Sequence, residues 1–191
     1  MFIFLKDKLK EKKGINSLQI AIGTLIISLI FAVMTDLVHV SNRMQSISSI
    51  MSYVSKVVSN QGCLTNNPES AYVDALGNKL YEIDYIKNKK YVSASDLYNA
   101  VLNIMNSDGI PTSDWKITVG GQTLSPSMKT KLYDFRERIP ITVEISYSWK
   151  TIANMLPIDS SVLSGKFTSG QEVVSTYKIR DANSDEGFIY G

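Results

Sequence analysis

The sequence predicts an α+β protein with a long N-terminal helix, first membrane-spanning and then amphipathic, followed by a small head with an antiparallel sheet and at least one packed helix. Three observations predict this class. Residues 14–35 form an uncharged run, an apolar heptad continues from it, and from Trp115 onward the apolar period changes from about 3.6 to 2. The chain therefore divides into a basic cytoplasmic leader (1–14), an anchor with its continuing helix (15–62) and an exported head (63–191).

The uncharged run has the length of a membrane span. Its 22 residues would form a helix about 33 Å long, and the hydrocarbon core of a bilayer is roughly 30 Å thick. A buried core helix is the alternative, but a helix that is apolar on all sides at this length is rare in so small a domain. A cleaved signal peptide would have a shorter apolar region and a small-x-small site, whereas this run ends in MTDLVHV. We therefore predict a membrane anchor.

The positive charge of the chain belongs to its leader. The formal net charge is +2, whereas residues 1–13 alone carry +3 and residues 14–191 sum to −1. No basic patch for nucleic acid is therefore expected. Lysines precede the uncharged run and none follows it directly, which predicts a cytoplasmic N-terminus and an extracytoplasmic chain from residue 40 onward.

One apolar seam continues from the membrane to about residue 60. Its members are spaced alternately three and four residues apart: Leu37, Val40, Met44, Ile47, Met51, Val54 and Val58. Polar positions between them, including Ser46 and Ser55, are expected to face water or loosely packed neighbours. The segment Asn60-Gln61-Gly62 supplies a C-terminal stop. Two roles are open for the seam, packing on the protein's own head and contact with other subunits, and one seam can serve both.

The head begins with one predicted helix. Ser95 and Asp96 open it, Leu97, Val101 and Ile104 lie on one face, and residues 106–109 close it. The stretch 72–92 predicts no definite element.

Alternation of apolar and polar residues predicts the strands. A hairpin covers Trp115–Val119, the turn Gly120-Gly121 and a short return strand. The strongest strand is 139–149, with apolar residues at every second position, and a final strand covers 166–179. One face of this sheet is expected to be core and the other wet.

The composition excludes several kinds of chemistry. His39 and Cys63 are the one histidine and the one cysteine, so a single chain cannot provide a Cys₂His₂, His₃ or Cys₄ zinc site. Because His39 lies at the membrane boundary, a Ser-His-Asp triad is not expected. No spacing singles out a pair of carboxylates for acid and base catalysis. We predict no catalytic residues, no metal site and no cofactor.

Two polar features lie at the ends of the amphipathic segment. Asp36 and His39, one turn apart, are expected at the level of the lipid headgroups rather than in a proton relay. Cys63 is interpreted either as a thiol at the helix end or as one half of an intermolecular bridge.

The N-terminal junction carries a family resemblance. Lys12-Lys13-Gly14 is followed directly by the apolar segment that starts at Ile15, and then by a long helix that leaves the membrane amphipathic. This arrangement resembles a type IV prepilin or pseudopilin, and it is most similar to the TadE-like minor pilins of tight-adherence systems. The late strand 141–149, the apolar loop 152–157 and a final strand fit the same pattern.

The resemblance implies a processing junction and an assembly mode. A prepilin peptidase would cut between Gly14 and Ile15, beside Lys13. The fifth residue of the mature chain is usually glutamate in this family, and here it is Gln19, which can still form hydrogen bonds but lacks the charge. The implied assembly residues are Gln19 and the seam, and the implied partners are the lipid bilayer, other pilin-like subunits and the prepilin peptidase.

The predicted function is therefore that of a structural subunit of a surface filament or of a secretion or adherence apparatus, not of an enzyme. An uncleaved, signal-anchored binding or scaffold module of a membrane complex is the alternative. Filament subunits should crosslink along residues 37–58, whereas the alternative should stay monomeric in detergent.

Overall fold

The structure is a computed structural model of the 191-residue chain. It describes residues 2–68, 73, 91–156, 159 and 162–177, with side chains from residue 16 onward. Most of the indefinite stretch 72–92 and the last two residues of the predicted final strand, 178 and 179, lie outside the described residues.

The first element is a single helix, α1, which spans Phe2–Gln61. No proline occurs before Pro68, so nothing in the sequence removes a backbone donor from this helix. It ends where Gly62 adopts a φ of +66°, a conformation that glycine reaches without steric cost. The amide of Gly62 donates to the carbonyl of Val58 at 3.0 Å, and the predicted stop is confirmed.

The head helix, α2, spans Ala94–Ser107. Its cap is Ser93, whose hydroxyl accepts a hydrogen bond from the amide of Asp96 at 3.0 Å. The predicted start at Ser95 is one residue later than the first helical residue, Ala94. The buried face consists of Ala94, Leu97, Val101 and Met105. Ile104, predicted for that face, is only half-buried.

A four-stranded sheet in the order β2-β1-β3-β4 completes the head. A 3₁₀ turn, Thr112–Asp114, leads into β1 (Trp115–Val119), which pairs antiparallel with β2 (Gln122–Thr123) and with β3 (Arg138–Ser148). A short helix, α3 (Lys150–Met155), separates β3 from β4 (Ser164–Val174). The predicted α+β class is confirmed, and the hairpin forms where it was predicted.

The strands follow their predicted alternation, but their bounds differ: β3 ends at Ser148, one residue before the predicted end, and β4 starts at Ser164, two residues before the predicted start. In β3 the side chains of Ile139, Ile141, Val143 and Ile145 are buried, and those between them are more exposed. The final strand was predicted for 166–179, but β4 ends at Val174, where Ser175 turns its amide to the carbonyl of Glu137.

The chain forms two compact units. One consists of Met1–Ser41 and Ser148–Gly165, and the other of Asn42–Tyr147 and Lys166–Gly191. The hydrophobic core belongs to the second unit, where residues of α1 from Ile47 to Val58 pack with α2, β1 and β3. The C-terminal half of α1 is thus a core helix of the head.

Candidate functional site

Most of the large apolar side chains of α1 between Leu18 and Met34 are exposed. Nine large apolar side chains there are between 51% and 70% exposed: Leu18, Ile20, Ile22, Leu25, Ile26, Ile27, Ile30, Phe31 and Met34. Among the described residues, α1 is the helix long and apolar enough to cross a membrane. Apolar surface of this extent is characteristic of a membrane or protein contact.

Three hydroxyl groups within this apolar part of α1 are paired inside the helix. Thr24, Ser28 and Thr35 each donate to the carbonyl four residues earlier, at 2.9, 2.8 and 2.9 Å. Back-bonding of this kind satisfies a hydroxyl without water. These three residues therefore add little to the cost of placing the helix in hydrocarbon, where every polar group needs a partner.

The predicted processing junction lies inside α1. The backbone of Lys13, Gly14 and Ile15 is helical, and their side chains lie outside the described part of the chain. Gln19, one turn further on, is exposed. Their roles in processing and assembly stay predictions.

The predicted seam has two different halves. Leu37 and Met44 are 46% and 52% exposed and Val40 is half-buried. The other four members are at most 7% exposed and belong to the core of the head: Ile47, Met51, Val54 and Val58. Of the seam, the exposed side chains accessible to a partner are therefore Leu37 and Met44.

Two serines of α1 that were expected to face water or loosely packed neighbours are buried and hydrogen-bonded. The hydroxyl of Ser46 lies 2.5 Å from Oδ2 of Asp108 and 3.0 Å from the carbonyl of Asn42. Ser55 accepts a hydrogen bond from the side-chain amide of Gln171. The expectation was wrong for both, because the head covers a wider face of α1 than the apolar seam and pairs these hydroxyls on that face.

Arg43 joins α1 to the sheet. Its guanidinium donates to Oδ2 of Asp114 at 3.2 Å and to the carbonyl of Ser146, and the side chain is 14% exposed. The sequence reasoning missed this contact. The available signal was that Arg43 is the one arginine or lysine between Lys13 and Lys56, but nothing in the sequence indicates its partners.

Asp36 caps α3 from another part of the same compact unit. Its Oδ1 accepts hydrogen bonds from the amide and the hydroxyl of Thr151 at 3.1 and 2.7 Å, and its Oδ2 accepts one from the amide of Ile152 at 2.9 Å. Trp149, at the N-cap position, forms no side-chain cap of its own. The carboxylate therefore satisfies amides that a helix start leaves unpaired. Asp36 was predicted only as a residue at the level of the lipid headgroups, and these protein partners were not predicted.

Two opposing effects set the pKa of Asp36, which follows the uncharged run. Burial to 2% exposure by itself raises the pKa of a carboxyl group, because it disfavours the charged form. The hydrogen bonds from Ile152 and Thr151, together with the nearby His39, outweigh burial and hold the pKa below its ordinary value of 3.8. Asp36 is therefore an ionised cap at neutral pH.

Cys63 is enclosed at the end of α1. Its side chain is 0% exposed, and its Sγ lies 3.7 Å from the hydroxyl oxygen of Tyr91. Of the two interpretations, an intermolecular bridge would require this end of the helix to open, whereas a buried thiol fits the structure as it stands.

An open groove of about 340 Å³ lies between α1 and β4 within the head. It is lined by Met44, Ile47, Ser48, Met51, Ser52, Thr168, Ser169 and Gln171. None of these side chains ionises near neutral pH, so the groove offers neither an acid and base pair nor a charged anchor for a ligand.

Within the described ranges, no three His, Cys, Asp or Glu side chains lie close enough together to hold a metal ion. Comparison with known proteins gives no match to this chain among family models, curated proteins or solved structures.

Proposed function

We propose that this protein is a membrane-anchored, pilin-like or pseudopilin-like structural subunit of the TadE-like type. It assembles through its N-terminal helix into a surface filament or into a secretion or adherence apparatus, and it is not an enzyme. The observation that carries the proposal is the division of α1: nine large apolar side chains between Leu18 and Met34 are exposed, and a buried face from Ile47 to Val58 belongs to the head.

This division is expected of a helix whose first part lies in lipid or in a helix bundle and whose second part lies in a folded domain. Each large apolar side chain left in water costs on the order of 1.5–3 kcal/mol relative to full burial, and nine such side chains are more than half exposed in the N-terminal half. Lipid, or a bundle of equivalent helices, removes that cost. The C-terminal half needs neither, because the head already covers it.

The proposal includes an orientation and a set of partners. The leader lies in the cytoplasm and the head outside, because the lysines precede the span. The partners are the lipid bilayer, other pilin-like subunits and a prepilin peptidase that cuts after Gly14.

One observation favours a second candidate, an uncleaved, signal-anchored extracytoplasmic binding or scaffold module. Four of the seven seam residues are buried in the protein's own core, which leaves less of the seam for other subunits. On this alternative the protein functions in a membrane complex as a single anchored copy.

The processing part of the proposal is tested on the N-terminus. The full chain is expressed with and without a prepilin peptidase, and its N-terminus is measured by mass spectrometry. We expect a mature chain that starts at Ile15, and Gly14→Leu should leave the longer product. An intact Met1 in material that still assembles would overturn the cleavage claim.

The assembly part is tested by crosslinking in membranes. Met44→Cys and Gln45→Cys are made in a Cys63→Ala background. Both positions are exposed, but only Met44 belongs to the seam. A filament subunit should crosslink through Met44→Cys and much less through Gln45→Cys, and should pellet with sheared surface material. A monomer in detergent with neither crosslink favours the second candidate.

A further inference from the structure

The segment that begins with α3 carries an apolar surface which the proposed function does not use. Met155 and Val162 are 45% and 73% exposed, and three apolar neighbours are half-exposed: Trp149, Ile152 and Leu156. We call these five residues the α3 surface. They belong to the compact unit that contains the exposed apolar half of α1.

Asp36 fixes the position of α3 along α1. Asp36 is the first charged residue after the uncharged run, and it holds the amides of Thr151 and Ile152 at 3.1 and 2.9 Å. The start of α3 therefore lies beside Asp36, at the end of the uncharged run.

The burial of Ala32 indicates that the segment containing α3 extends beside the uncharged run. Ala32 lies one turn before Asp36 and is 3% exposed, whereas Phe31 and Met34 are 69% and 60% exposed. The side chains of a lone helix do not bury an alanine on one face while leaving its neighbours open. The other stretch of the same unit is Ser148–Gly165, and we attribute the cover to it.

The charge of the segment points to an apolar contact. In Ser148–Gly165 the charged residues are Lys150 and Asp159, which cancel. Attraction to anionic headgroups therefore contributes little, and the exposed apolar side chains supply the affinity. Tryptophan, here Trp149, is enriched at the boundary between lipid and water.

We propose that the α3 surface inserts into the outer interface of the lipid bilayer and gives the protein a second membrane contact beside its spanning helix. This inference rests on the proposed membrane anchoring, since it takes the medium around Phe31 and Met34 to be lipid. The same medium then meets Met155 and Val162. Interfacial apolar groups enter to a depth of about 5–10 Å.

A second copy of the chain is the competing occupant. A stable protein interface covers about 800 Å² on each partner, and the α3 surface offers two strongly exposed side chains with three half-exposed ones. A surface of this size suits partial insertion into lipid better than a separate protein interface.

The experiment places an environment-sensitive fluorophore on the full chain in phosphatidylcholine vesicles. In a Cys63→Ala background the label is attached at Met155→Cys, with Leu25→Cys as the reference for the membrane span. Quenching is measured with lipids brominated near the headgroup end of their chains, with lipids brominated deeper, and with aqueous iodide. Val162→Cys repeats the measurement at the more exposed position, where folding is least affected.

We expect blue-shifted emission from Met155→Cys, strong quenching by shallow bromine and weak quenching by iodide, with no change in high salt. Adding Val162→Glu should reverse these shifts, whereas the matched change Val174→Glu, at a side chain that is 46% exposed in the other unit, should not.

The outcomes separate this inference from the proposed function. Lipid quenching at Leu25→Cys together with iodide quenching at Met155→Cys overturns the α3 contact and leaves the anchor intact. A Met155→Cys label shielded from both bromine and iodide indicates a protein occupant and also overturns it. Absence of lipid quenching at Leu25→Cys overturns the membrane anchor, and the α3 contact fails with it.

Discussion

The carboxylate of Asp36 accepts hydrogen bonds from both the amide and the hydroxyl of Thr151, at 3.1 and 2.7 Å, across 115 positions of the chain. A residue of the long helix thus provides the N-terminal cap that α3 does not supply for itself. The contact joins the end of the uncharged run to the connection between β3 and β4. A substitution at Asp36 should therefore affect α3 more strongly than the core.

Asp36→Ala should expose this dependence. The substitution leaves the amides of Thr151 and Ile152 without their acceptor, at a cost of about 1–3 kcal/mol. Hydrogen exchange of these amides, measured on the full chain in detergent micelles, should become faster by roughly tenfold to a hundredfold, since each 1.4 kcal/mol is about a factor of ten. Asp36→Asn keeps one acceptor oxygen and should give a smaller change. Unaltered exchange in Asp36→Ala would show that the cap does not hold α3.

The same carboxylate predicts a pH dependence with a definite sign. The pKa of Asp36 is lower in the folded chain than its ordinary value of 3.8, so the folded state favours the ionised form. Its contribution to stability is complete above the ordinary pKa and is lost as pH falls through the lowered one. The difference in melting temperature between wild type and Asp36→Asn should be present at neutral pH and should shrink as the pH falls below about 4. A difference that grows in acid would contradict the assignment.

Arg43 should matter more than an exposed arginine. Arg43→Met keeps the apolar stem and removes the donors to Asp114 and to the Ser146 carbonyl, which we expect to cost about 1–3 kcal/mol. Arg138 is the matched control, because its ion pair with Glu172 is 76% and 57% exposed, and Arg138→Met should cost about 0–1 kcal/mol. Denaturant unfolding of both variants in micelles measures the contrast. Equal losses would contradict the buried role of Arg43.

Local chemistry made the helix end and the hairpin predictable. Gly62, Gly120 and Gly121 all adopt positive φ values. Each was placed correctly because glycine directly after an apolar pattern indicates a backbone that turns with a positive φ. The start of α2 was less certain, since Ser93 and Ser95 are both suitable caps. In the structure Ser93 caps the helix through the amide of Asp96, and the amide of Ser95 donates to the side-chain oxygen of Asn66 at 2.9 Å.

There is a physical reason why the contacts of the candidate site could not be predicted from the sequence. Arg43 and Asp114 are separated by 71 positions, and Asp36 and Thr151 by 115. A charged residue needs a partner if it is buried, but the sequence does not identify that partner when it lies far away along the chain. The burial of Ser46 and Ser55 was also hidden, because a serine on a helix fits either water or a close neighbour that pairs its hydroxyl.

Buried and exposed apolar side chains of α1 beyond residue 36 should respond differently to truncation. Ile50 lies beside the seam and is 0% exposed, whereas Met44, on the same helix, is 52% exposed. Ile50→Ala should destabilise the head by about 2–5 kcal/mol, and Met44→Ala should change its stability by less than about 0.5 kcal/mol. Denaturant unfolding followed by tryptophan fluorescence tests both. A loss of crosslinked oligomer in Met44→Ala, with stability intact, would assign Met44 to assembly, and a large loss of stability there would place it in the core.

Gly62, which follows α1, should tolerate replacement by alanine less well than Gly109, which follows α2. A Cβ at this position would lie 2.5 Å from the carbonyl oxygen of Tyr133, in a backbone with φ of +66°. Gly109 has nearly the same φ, +67°, but no atom lies within 4 Å of its added Cβ. Both alanine variants pay about 1–2 kcal/mol for the left-handed conformation, and only Gly62→Ala must also displace backbone that is hydrogen-bonded to it, since the amide of Tyr133 donates to the Gly62 carbonyl at 2.8 Å. Gly62→Ala should therefore lower the free energy of unfolding by clearly more than Gly109→Ala. Equal losses, measured by denaturant unfolding in the same micelles, would mean that strain alone governs the end of the helix and that the contact with Tyr133 adjusts without cost.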